Sequence, residues 1–118
     1  MLAAVLLSAF VAQATPTAAP ACLNEATEAA VLYEAQPKVS AQTLSQAKAA
    51  GAGSVAMVQV LLGPDGKVQD AKVYQSTNDA DLDAAALAAA RNSTYAPKMV
   101  YCKAYRGVYL FEVKFPIS

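Results

Sequence analysis

No stretch of the chain limits its fold as much as the nine residues from Ser54 to Leu62, Ser-Val-Ala-Met-Val-Gln-Val-Leu-Leu. Ala56, Val58, Val60 and Leu62 share one parity and are all apolar, and the other parity is mostly apolar as well, as in a strand with neighbours on both sides. This stretch should be a central strand. Gly63-Pro64-Asp65-Gly66 follows, with proline second and glycine fourth, so the chain turns back into a second strand from Lys67 to Gln75. There Ala71 and Val73 share a face while Val68 has the opposite parity, which places a bulge near Gln69 or Asp70.

Downstream, Leu82, Ala85, Ala86, Ala89 and Ala90 fall on one helical stripe between Asp81 and Arg91. Its small side chains would let the helix sit close to a sheet. Tyr95 to Cys102 reads as a loop around Pro97, and Tyr109, Phe111, Val113 and Phe115 alternate along a last strand with Glu112 and Lys114 facing outward. Upstream, Ser40 caps a short helix over Ala41 to Ala50 that stops at Gly51-Ala52-Gly53. Asn24 to Tyr33 reads either as a short helix or as an extended arm. Pro37 breaks what precedes it. Strand, strand, helix, strand with a right-handed crossover predicts an α+β fold. Its small three-stranded antiparallel sheet has the order second, first, third, with the helices packed on one face. The last strand is then an edge.

Several chemistries are excluded or unsupported. The chain has 118 residues, enough for one domain and an extension, and its nine basic residues balance nine acidic ones with no long run of either sign. Nucleic acid is therefore not an expected partner. There is no histidine, which removes the commonest general base and the commonest zinc ligand. Ser76 has no base beside it in sequence. Asp79, Asp81 and Asp83 lack the glycine and glutamate spacing of a calcium loop and suit helix capping. No catalytic residue, metal or cofactor is expected, and an enzyme is the least favoured class.

The start of the chain reads as an export signal over residues 1–14. Leu2 to Ala12 is apolar but for Ser8 and falls short of the roughly 20 residues that cross a bilayer, and Ala12-Gln13-Ala14 is a small-x-small cleavage site. No transmembrane anchor is expected after cleavage. A buried helix and lipidation at Cys22 are weaker alternatives, since Ala19-Pro20-Ala21 is a poor approach to a lipid-bearing cysteine. Residues 15–35 would be a linker and N-terminal arm, and 36–118 the domain. Cys22 and Cys102 are the only cysteines, an even count in a short exported chain, so a disulfide is expected, against two buried free thiols.

Taken together, Val58 to Ser76 with its Gly63-Pro64-Asp65-Gly66 turn, Leu82 to Leu87, Ala90-Arg91, Tyr95-Ala96-Pro97 and Gly107 before the last strand resemble the C-terminal domain of the TonB energy transducers. The likeness covers about Ser54 to Pro116 and extends back to Gln36. It implies a periplasmic domain that grips an extended segment of an outer-membrane transporter by adding it to the sheet edge. Mapped onto this chain, the segment would lie along the last strand, at Val108, Leu110, Glu112 and Lys114, with Gln36 and Pro37 as a further contact. The Tyr-Pro that usually follows is replaced by Lys38, Val39 and Ser40, and no long proline-rich spacer separates the signal from the domain.

Two functions are weighed on this basis. One is a TonB-like protein-binding module of the periplasm or cell surface, which would not transmit energy alone. The other is an envelope assembly protein that pairs with a second copy of itself, as a homodimer, through the same edge.

Overall fold

The computed structural model describes residues 26–117. Its centre is a three-stranded antiparallel sheet of β3 (Val55–Leu62), β4 (Val68–Gln75) and β8 (Gly107–Lys114) in the order β4-β3-β8. The apolar strand lies between its neighbours because both of its edges find partners. Ala56, Val58, Val60 and Leu62 are fully buried, whereas Val55, Met57, Gln59 and Leu61 on the other face are only half-buried. One face of the sheet is core and the other meets solvent.

The turn after β3 is closed by Gly66 N–H donating to Gly63 O at 2.9 Å, with Gly66 at φ +80°. A Cβ on Gly66 would stand 2.5 Å from the Tyr95 carbonyl oxygen, so both conformation and space require glycine there. Leu61 faces Asp70 while Leu62 faces Val68, which leaves Gln69 as the extra residue of a bulge. A second shift, at Tyr74 between Met57 and Val58, has no sign in the hydrophobic pattern.

Helix α2 (Ala80–Asn92) packs on β3 and β4, and α1 (Ala41–Ala49) touches α2. Leu82, Ala86, Ala89 and Ala90 of α2 and Ala47 of α1 share one buried cluster with the inner rows of β3 and β8. Ser40 caps α1 by accepting from Thr43 N–H at 3.1 Å. Asp79 caps α2 by accepting from the N–H groups of Asp81 and Leu82, both at 3.0 Å.

The segment between β4 and α2 is held by Asp83. Its carboxylate accepts the Thr77 N–H at 2.9 Å, the hydroxyl of fully buried Thr77 at 2.8 Å, and the Ser76 hydroxyl. Burial alone would raise the Asp83 pKa, but the hydrogen bonds from Ser76 and from the backbone and side chain of Thr77 outweigh it and hold the carboxyl below its ordinary value. A depressed folded-state pKa gives stability that is complete above the unfolded-state value and is lost as pH falls through the folded one. Asp83→Ala should therefore cost about 2 kcal/mol at pH 7, as for loss of hydrogen bonds to a charged group. The deficit should shrink as pH is lowered from 5 toward 3. Urea unfolding across that range checks both parts, and an unchanged deficit at low pH would contradict them.

The remaining strands revise the sequence reading. The arm is extended, not helical: β1 (Ala26–Thr27) pairs with β6 (Lys98–Val100), and β2 (Ala30–Tyr33) pairs with β5 (Thr94–Ala96). The stretch expected as a loop around Pro97 instead holds β5 and β6, and β6 forms a hairpin with β7 (Lys103–Tyr105). The physical reason is mutual: each of these short strands has too little apolar pattern to declare itself, and β1, β2 and β5 exist through partners distant in sequence while β7 exists through its hairpin with β6. Among the described residues no helix is long and apolar enough to cross a membrane.

Candidate functional site

Which way each backbone group of β8 points follows from a single hydrogen bond. Phe115 N–H donates to Ser54 O at 2.7 Å, and the register then runs without a shift from Val55 opposite Lys114 to Leu62 opposite Gly107. In an antiparallel ladder hydrogen-bonded pairs alternate with non-bonded ones. Gly107, Tyr109, Phe111 and Val113 therefore exchange bonds with β3, while Val108, Leu110, Glu112 and Lys114 turn N–H and C=O toward the opposite edge. Among the described residues no strand pairs with that edge.

Side chains follow the same parity. Phe111 and Val113 are buried in the core, whereas Val108 and Leu110 are 50% and 44% exposed on the solvent face. Glu112 and Lys114 continue this outer row and form an ion pair at 3.6 Å. The row thus reads apolar, apolar, acidic, basic from Val108 to Lys114.

Gln36 and Pro37 are brought to the same place. A cavity of about 350 Å³ is lined by Glu34, Ala35, Gln36 and Pro37 on one side and by Glu112, Val113 and Lys114 on the other. What fixes the arm there is Ser93 at the end of α2, whose hydroxyl accepts the Ala35 N–H at 2.9 Å and donates to Ala89 O at 2.7 Å. Tyr95 adds a second tie, donating its hydroxyl to Ala90 O at 2.6 Å, and burial pushes its pKa up to about 12. Glu34 and Ala35 were not among the residues expected from sequence. Only the paired arm brings them to the groove, and no local pattern marks them.

Gly107 opens the strand where the chain is crowded. A Cβ there would lie 3.0 Å from the Lys98 Cβ and 3.5 Å from the Ala29 Cβ, so the absence of a side chain lets β6 and the arm pass close by. The accessible edge begins beyond it, at Val108.

Other expected positions lie apart from this groove. Cys102 sits in the two-residue turn between β6 and β7, where Tyr101 and Cys102 have φ of 49° and 63°. Left-handed conformation at both central positions is that of a type I′ hairpin turn, here made without glycine. Cys22 and the export signal at residues 1–14 lie outside the described residues. Ser76, Asp79 and Asp83 are engaged in the cap and the Thr77 buttress, and the described residues contain no group of side chains arranged to hold a metal ion.

Residues 45–117 match the family model described as the Gram-negative bacterial TonB protein C-terminal. No curated protein matches the chain.

Proposed function

The chain belongs to the TonB C-terminal domain family, and from that premise we propose that it is a protein-binding module, not an enzyme, which takes an extended peptide onto the free edge of β8. Domains of this family are periplasmic in Gram-negative bacteria and interact with proteins such as outer-membrane transporters. The observation that carries the reading is the coincidence of two features. The four outward-pointing peptide groups from Val108 to Lys114 lead, at their Glu112 to Lys114 end, to the groove that Gln36 and Pro37 share with Glu112. An added strand would draw affinity from backbone hydrogen bonds and selection from side chains. The exposed charges of Glu112 and Lys114 meanwhile discourage indiscriminate pairing.

Amide hydrogen exchange tests this residue by residue. With a saturating peptide copied from an outer-membrane transporter segment, exchange should slow at Val108, Leu110, Glu112 and Lys114. Tyr109, Phe111 and Val113, already bonded to β3, should change little. Protection confined to another part of the sheet would refute edge addition.

A second reading, self-association through the same edge, draws on the ion pair. If two β8 strands met antiparallel about Val113, Glu112 of each copy would stand opposite Lys114 of the other, an attractive arrangement. Sedimentation that finds a dimer without peptide, with amide protection centred on Glu112 and Lys114, would favour it.

Export to the periplasm or cell surface and a disulfide between Cys22 and Cys102 complete the proposal. The bond would tie residues ahead of the arm to the β6–β7 turn and so hold the arm in register with its partners. Removing it in a Cys102→Ala variant should lower stability by about 2–4 kcal/mol. Mass spectrometry of the unreduced mature protein should find no free thiol, and two free thiols would end this claim.

A further inference from the structure

We propose, resting on the edge-addition reading above, that the outer row of β8 selects a peptide by a four-position pattern. Over Val108, Leu110, Glu112 and Lys114 in turn, the bound strand presents an apolar, an apolar, a basic and an acidic side chain, every second residue of an extended segment. The backbone of β8 can hydrogen-bond any sequence, so discrimination must come from side chains. These are the four that stand directly beside an added strand on the solvent face.

Each position has its own physical ground. Val108 and Leu110 remain about half exposed, and behind them Leu61 and Gln59 on β3 continue the surface. An added apolar pair would cover Val108 and Leu110 and remove their exposed area from water. Glu112 and Lys114 already attract each other across 3.6 Å, and a basic and an acidic partner beside them would extend this pair into an alternating set of four charges. The reverse order would set like charges side by side on both positions, which is destabilising. Of the bound-strand residues between these four, the one beside Val113 would face the groove lined by Glu34, Gln36 and Pro37. Because the row is asymmetric, it also selects chain direction for a given sequence.

The test uses seven-residue peptides in which threonine alternates with the four selecting residues. The matched order and one with its two charges exchanged are each made in both chain directions and titrated into the full chain by NMR at low salt. In one direction the matched peptide should bind about five-fold tighter than its exchanged twin, from two cross-strand charge pairs. The double variant Glu112→Lys/Lys114→Glu, which keeps net charge and backbone, should invert that ranking. Replacing Val108 and Leu110 by threonine should weaken both peptides several-fold. Equal binding of the two peptides, or a ranking that the double variant does not invert, would overturn the selection pattern. If Glu112→Pro still weakened their binding sharply, edge addition itself would stand. Failure of every peptide to bind, or binding undiminished in Glu112→Pro, would overturn edge addition and the pattern with it.

Discussion

A proline at position 112 is expected to leave the domain folded and to weaken capture of an extended peptide sharply, while a proline one residue later is expected to destabilise the fold strongly. The contrast rests on ladder parity. Glu112 lies opposite Met57 as a non-bonded pair, so its N–H points to the free edge and its loss removes no bond to β3. Phe111, the residue before, is already extended, as a residue preceding proline must be. A proline ring at an outward edge position is tolerated in native sheets. The same ring occupies the space a partner strand needs and deletes a donor from the middle of the site, so affinity should fall at least about ten-fold, from one lost hydrogen bond and its surroundings. At Val113 the N–H is bonded to β3 and the side chain is buried in the core. Proline there should cost about 3 kcal/mol or more. Circular dichroism and urea unfolding distinguish the two variants, and peptide titration of Glu112→Pro gives the functional half. A folded Glu112→Pro protein that binds at full strength would refute edge addition.

Truncating Phe111 to alanine should cost about 3–5 kcal/mol, the range for a buried phenylalanine whose surroundings collapse only in part. Phe111 is the largest of the fully buried side chains, lies opposite Val58 at the middle of β3, and belongs to the cluster shared with α2. Small domains have only about 5–15 kcal/mol of total stability. The variant should therefore unfold at far lower urea concentration, and peptide binding should weaken because β8 is the strand that Phe111 anchors. Leu110→Ala offers the control from the opposite face of the same strand: its side chain is 44% exposed, and its loss should change stability by less than about 1 kcal/mol. Comparable losses in the two variants would mean that the solvent face is not the open one.

How far these features could be read from sequence depended on whether their cause was local. The strand Val55–Leu62 and its turn were legible because burial on a pleated surface has a period of two and the reversal has its own residue chemistry. The α2 stripe from Leu82 to Ala90 was legible for the same kind of reason, a period of 3.6 with a capping aspartate before it. The bulge at Gln69 showed as a change of parity. The second bulge at Tyr74 did not, because Val73 remains inward and the extra residue is exposed, so no apolar position is displaced.

The alternation of Tyr109, Phe111, Val113 and Phe115 determined by itself which side chains of the last strand face inward and which outward. It left open which of its N–H groups bond to β3. That depends on register, and register was decided by the tertiary pairing of Phe115 with Ser54. The groove is likewise a tertiary product. Gln36 and Pro37 are about 75 residues from Glu112 in sequence, and they meet it because the arm pairs with β5 and is pinned by Ser93 at the end of α2. The short strands β1, β2, β5, β6 and β7 have two to four residues each, too few for a periodic signal. β1, β2 and β5 hold their conformation through partners that folding brings from elsewhere in the chain, and β7 through its hairpin with β6, so local pattern determined the strands of the central sheet while tertiary packing decided their register and the place of the arm beside β8.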